Sequence, residues 1–155
     1  MRVVAFDVGE RRIGVAVSDA TLTLARPVGV LRPTSLATDA LQLVAAEITR
    51  LGQQDDGVTT IVVGLPRRLD GSATSMTERV STFAAELGRI MPLPIVLQDE
   101  RLTSREAESR LAVTEKNWRV RKRRLDAAAA AIILQDYLDS RQRDPESALA
   151  VEPEV

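Results

Sequence analysis

The segment Val3-Val4-Ala5-Phe6-Asp7-Val8-Gly9, continued by Glu10-Arg11-Arg12 and Ile13-Gly14-Val15-Ala16-Val17-Ser18-Asp19, decides how the rest of the chain is read. Two runs of β-branched and small apolar residues flank a short charged turn containing glycine, which is the pattern of a β-hairpin. The first run is apolar almost throughout, so it predicts a strand buried on both faces in the middle of a sheet. Asp7 interrupts that run. An ionised carboxylate in a central strand is costly unless a cation or hydrogen-bond donors offset it. A local explanation is that Asp7 caps the turn by accepting from the backbone of Gly9 or Glu10. The reading adopted is that Asp7 points out of the sheet at a metal or a phosphate-bearing ligand.

Working outward, Thr21-Leu22-Thr23-Leu24 and Val28-Gly29-Val30-Leu31, separated by Arg26-Pro27, predict a third strand and hence an antiparallel meander. From Ser35 the apolar period changes: Leu36, Ala40, Leu43, Val44, Ile48 and Leu51 share one helix face, and Gly52 closes it. Thr60 to Leu65 reads as a second fully buried strand ended by Pro66, followed by a polar loop from Arg67 to Ala73. Ser75-Met76-Thr77-Glu78 has capping-box spacing and opens a helix whose stripe is Met76, Val80, Phe83, Ala84 and Leu87. Pro94 to Leu97 is the fifth strand and runs into Gln98-Asp99-Glu100-Arg101. Thr103-Ser104-Arg105-Glu106 predicts a helix through about Leu111; residues 113–124 read as irregular and basic, and Asp126 as the start of a buried helix, Ala127 to Leu138. The expectation is an α/β fold: a five-stranded mixed sheet, three antiparallel N-terminal strands plus two parallel ones, with helices on both faces. One domain over 1–141 and an acidic, disordered and solvated tail over 142–155 complete the expected organisation, the tail carrying Asp144, Glu146, Glu152 and Glu154.

Composition narrows the chemistry. The 155 residues contain no cysteine and no histidine, which removes disulfides, thiolate catalysis, Ser/His/Asp triads and imidazole metal sites. Catalysis is left to carboxylates, hydroxyls, lysine or arginine, and a bound metal should be a hard one held by oxygen, Mg²⁺ or Mn²⁺. No apolar run is long enough to span a membrane and no secretory signal is visible, so a cytoplasmic protein without a membrane partner is expected. The net charge of -1 averages over strong local asymmetry.

Sites in open sheets form beyond the carboxyl ends of the strands, and three places there carry acids. Asp7 is one, Asp99-Glu100 the second and Asp126 the third. Singly each has a bland explanation: a turn cap, a solvated loop with a local ion pair, and an N-cap favoured by the helix dipole. Together they point to an oxygen-ligand site for divalent ions, which would activate a water and stabilise the leaving oxygen of a phosphodiester. The stretch Lys116-Asn117-Trp118-Arg119-Val120-Arg121-Lys122-Arg123-Arg124 places six cations just before Asp126, where they would attract phosphates. Trp118 either stacks on a base or packs on the sheet. Arg11, Arg12, Arg67 and Arg68 lie on loops that share the same rim and suit contacts to a nucleic-acid backbone.

At this point the chain resembles a known family. Asp7-Val8-Gly9-Glu10-Arg11-Arg12-Ile13-Gly14-Val15-Ala16-Val17-Ser18-Asp19 is similar to the opening signature of the YqgF/RuvX family. The likeness continues through Val63-Gly64-Leu65-Pro66 with Asp70-Gly71-Ser72, Asp99-Glu100-Arg101-Leu102-Thr103, and Asp126 to Ala130 with Ile133-Leu134-Gln135, over roughly residues 1–140. The resemblance implies a ribonuclease H-like fold related to RuvC-type Holliday junction resolvases. It implies a metal-dependent endonuclease with acids at Asp7, Glu100 and Asp126, Asp99 being the other candidate for the middle ligand. The substrates it implies are the 5′ end of pre-16S rRNA or branched DNA junctions, and a symmetric junction would favour a homodimer. Two other readings remain. The Asp-x-Gly hairpin also resembles the first phosphate loop of actin-like ATPases, but the second phosphate hairpin and the adenosine segment are missing. A nucleic-acid-binding adaptor without turnover would keep the acids yet not cut.

Overall fold

The computed structural model describes residues 1–54, 57–99 and 118–143, with side chains in the last stretch described for 127–142. In chain order the elements are β1 (Arg2–Val8), β2 (Ile13–Ser18), β3 (Ala25–Leu31), α1 (Ala40–Gly52), β4 (Val58–Leu65), α2 (Ser75–Ile90), β5 (Ile95–Asp99) and α3 (Trp118–Arg143). The strands form one sheet in the order β3-β2-β1-β4-β5. β1, β2 and β3 pair antiparallel, whereas β4 lies parallel to β1 and β5 parallel to β4. The expected mixed sheet is therefore present, with β1 at its centre.

Strand alternation divides the core in two. On one face Val4, Phe6, Val8, Ile13, Val15, Ile61, Val63, Leu65 and Ile95 pack against Ala40, Val44, Ile48 and Leu51 of α1 and Val80, Phe83, Ala84 and Leu87 of α2. On the other face Val3, Ala5, Ala16, Val62 and Val96 pack against Ala130, Ile133, Leu134, Tyr137 and Leu138 of α3. Val3, Val4, Ala5 and Phe6 are all fully buried. Burial on both faces is why this run carries no polar alternation until Asp7.

Several boundaries differ from the sequence reading, each for a local reason. β3 begins at Ala25 and includes Pro27; an edge strand tolerates proline because one side of its backbone needs no ladder partner. Residues 21–24 form a turn instead of a strand, because Asp19 Oδ1 accepts from the N–H groups of Thr23 and Leu24 at 2.8 and 3.1 Å. α1 begins at Ala40, later than Ser35 suggests, since the Asp39 carboxylate accepts from Thr34 N and the Thr34 and Thr38 hydroxyls and so closes a preceding turn. The reciprocal cap of α2 is Thr74 with Thr77, one residue before the expected box. The largest correction concerns residues 118–124, which are helical. Arg and Lys are good helix formers, and they extend the alanine run by two turns toward the N-terminus. Asp126 thus lies inside α3 and is not its N-cap. The helix expected from Thr103 and the acidic tail from Asp144 lie outside the described residues.

Candidate active site at the carboxyl edge of the sheet

The hairpin turn after β1 is tight: Gly9 N–H donates to Arg12 O at 2.9 Å, and a Cβ on Gly9 would stand 2.9 Å from the same carbonyl oxygen. Glycine is therefore required here. Next to it, Glu10 forms an exposed ion pair with Arg79 of α2, tying the turn to that helix. Sequence patterning offers no signal for a pair 69 residues apart. Arg11 is exposed and Arg12 half-buried at the same edge.

Asp7 is half-buried and lies on the α3 face, in alternation with Val3 and Ala5. Its direct partner on β2 is Gly14. On the other flank Phe6 is in register with Val63 of β4, so one step further Asp7 is beside Gly64. Gly64 is in turn paired with Gln98 of β5. A transverse row Gly14–Asp7–Gly64–Gln98 therefore ends the α3 face, where the preceding row is Ala16–Ala5–Val62–Val96. The two strands that flank β1 thus place glycine, and no side chain, directly beside Asp7. The donor type fits a hard cation: a carboxylate oxygen at the end of three parallel strands.

The other expected residues fall out unevenly. Asp99 is paired with Leu65 and so belongs to the α1/α2 face, opposite to Asp7. Glu100 and Lys116 lie outside the described residues. Asp126 is within α3; its side chain, like those of Trp118, Arg119, Arg121, Lys122, Arg123 and Arg124, is outside the description. Among the described residues no three acids, histidines or cysteines come together. Arg67 and Arg68 are exposed in the loop after β4. Arg68 also holds that loop together, donating to Ala73 O at 3.1 Å, while Asp70 accepts from Ser72 N at 2.9 Å. A groove of about 400 Å³ lies on the α2 side, lined among others by Leu36, Glu78, Arg79, Phe83 and Glu86. It lies apart from Asp7, and the two glutamates make it a poor phosphate site.

The amino edge of the same sheet is differently built. Ser18 Oγ accepts from Val3 N at 2.8 Å. The Arg2 guanidinium, 8% exposed, donates to Leu51 O at the end of α1 and to Gln54. Gln135 of α3 spans Ala25 N and Thr23 O. Asp19 has its carboxyl held below the ordinary value, chiefly by the Thr23 and then the Leu24 backbone N–H. These polar groups serve the frame.

A mixed five-stranded sheet of this kind, with helices on both faces, is similar to the fold of RuvC-like resolvases of the ribonuclease H class. RuvC of T. thermophilus, solved in complex with a Holliday junction substrate, superposes with a TM-score of 0.53 at 16% identity, covering 97% of this chain and 99% of that one. The fowlpox virus Holliday junction resolvase gives 0.53 at 14% identity, over 90% of this chain and 99% of that one. The chain belongs to the RuvX family, described as Holliday junction resolvase, whose model matches residues 1–140. A relative from Halalkalibacterium halodurans, named "Putative pre-16S rRNA nuclease", is 42% identical over 142 residues, covering 92% of this chain and 99% of its own. A relative of the same name from Chloroflexus aurantiacus is 41% identical over 143 residues, 92% of this chain and 90% of its own. Among the described residues no helix is long and apolar enough to cross a membrane.

Proposed function

We propose that this chain is a divalent-metal-dependent endonuclease of structured nucleic acid, that its substrate is the 5′ end of pre-16S rRNA, and that it works in the cytoplasm in ribosome biogenesis. The observation that carries the reading is Asp7, held between Gly14 and Gly64 at the carboxyl edge of β1, in a chain of the RuvX family. Asp7, Glu100 and Asp126 would hold Mg²⁺ or Mn²⁺. The placement of Asp99 on the opposite face favours Glu100 as the middle ligand. The metal, when bound, supplies an activated water and charge stabilisation at the leaving oxygen. The chain's own part is to hold carboxylates in a rigid, glycine-flanked edge and to hold the phosphate backbone with cations. Arg11, Arg12 and Arg67 suit that role from the loops, and Lys116, Arg119, Arg121, Lys122, Arg123 and Arg124 from the segment leading into α3, with Trp118 available for stacking.

A second reading, resolution of Holliday junctions, is favoured by the family's description and by the likeness to junction resolvases. It would require a dimer to cut symmetrically. The deciding experiment compares a synthetic four-way DNA junction with a pre-16S rRNA 5′ leader, each with Mg²⁺ or Mn²⁺ and with Asp7→Asn as the blank. Trimming of the leader alone supports the rRNA reading, and paired symmetric nicks in the junction alone support the second. Cleavage of neither substrate in an Asp7-dependent way leaves an adaptor. Neutralising Arg121, Lys122, Arg123 and Arg124 should weaken binding and flatten its salt dependence by about one unit of log–log slope for each phosphate no longer neutralised. An unchanged slope would remove the segment from the interface.

A further inference from the structure

The row that ends the α3 face contains one more functional group. Gln98 is in register with Gly64, which lies beside Asp7, and alternation puts it on the same face as Val96, which packs against α3. Two strand spacings, about 9–10 Å, separate the α-carbons of Asp7 and Gln98. Gly64 between them contributes no side chain. Gln98 is half-buried, and no hydrogen bond ties its amide to any described residue.

We infer that Gln98 is a substrate-binding residue whose amide N–H donates to a non-bridging oxygen of the phosphodiester held above Gly64; this rests on the nuclease reading above. The gap has the right width: a phosphate seated over Gly64 has the Asp7 carboxylate on one side and the amide on the other. The chemistry also suits the place. An arginine or lysine there would pair with the Asp7 carboxylate and compete with a metal for it, whereas a neutral amide donates to phosphate and leaves the carboxylate to the cation. Asp99, the next residue, is excluded from the same task by its position on the opposite face.

The test uses the full chain with whichever of the two substrates it cuts, the four-way junction or the leader RNA. Gln98→Leu keeps the volume and removes the donor; Gln98→Glu adds a negative charge beside the phosphate. We expect kcat/KM to fall about ten- to a hundredfold in Gln98→Leu and further in Gln98→Glu, with thermal unfolding within 2–4 °C, roughly, of wild type. Substituting sulfur for one non-bridging oxygen at a time at the cut site, read with Mn²⁺ so that the more sulfur-tolerant cation is kept in place, should slow the wild type in one of the two diastereomers but add little there to Gln98→Leu, because the interacting pair is already broken. Should Gln98→Leu fold poorly, Gln98→Asn provides the same readout by withdrawing the amide by one methylene. Cleavage by Gln98→Leu at the wild-type rate, or equal sulfur effects in both proteins, overturns the inference. If instead wild type and Asp7→Asn are equally inactive, the nuclease reading itself fails.

Discussion

The two faces of the sheet are made from the same strands and end differently. Toward α1 and α2 the strands stay apolar almost to their last residues, with Phe6 and Val8, Ile13, Val63 and Leu65 in the core. Toward α3 the apolar rows stop one step earlier, at Ala5, Ala16, Val62 and Val96, and the last row is Asp7, Gly14, Gly64 and Gln98. Because successive side chains alternate, neighbours in sequence do opposite work: Phe6 and Val8 anchor the frame while Asp7 between them faces the edge. Rigidity on one face is what allows a positioned carboxylate on the other, since its location does not depend on a loop.

That contrast can be broken in graded steps. Asp7→Asn should lower cleavage more than a thousandfold, about 4 kcal/mol of transition-state stabilisation, while the unfolding midpoint stays level or rises as a half-buried charge is removed. Phe6→Ala, one residue away, should do the reverse in kind: about 3–5 kcal/mol of stability lost in urea unfolding, with the surviving folded fraction still cutting. If Asp7→Asn unfolds the protein instead, the carboxylate belongs to the frame. Gly9→Ala forces a Cβ against Arg12 O and should cost roughly 1–3 kcal/mol, again read in urea; a neutral result would mean that the hairpin turn yields.

The smallest effect belongs to the amino edge. The folded Asp19 carboxyl titrates below its ordinary value because Thr23, Leu24 and Thr21 donate to it. Its contribution to stability is therefore complete above the unfolded value, about 3.9, and is lost as pH falls through the lower folded value. Asp19→Asn should melt slightly below wild type at pH 5–7, and the two curves should converge below about pH 4. A gap that widens on acidification would reverse the assigned sign.

Local physics was readable where one residue's surroundings decide its state. Unbroken apolar runs announced β1 and β4, the glycine-bearing turn announced the hairpin, and a 3.6-residue apolar period announced α1, α2 and the core of α3. Reading failed where a side chain reached for backbone several residues away. Asp19 claimed residues 21–24 for a turn and Asp39 delayed α1. Charge density made Trp118 to Arg124 look irregular although its residue types favour helix. The acids at Asp7, Glu100 and Asp126 stood out as residue types, yet the opposite faces taken by Asp7 and Asp99 needed the β1–β4 and β4–β5 registers.

By itself, the sequence determined the elements, the hairpin at the centre of the sheet and a side-chain inventory without imidazole or thiolate, since histidine and cysteine are absent. Only the tertiary structure decided that β4 inserts beside β1, that glycines flank Asp7 on both sides, that Gln98 joins the Asp7 row and Asp99 does not, and that Glu10 meets Arg79. The physical reason is that hydrophobic periodicity reports which face a residue takes, whereas strand order and register come from pairings between segments 34 to 57 residues apart, which no local pattern specifies.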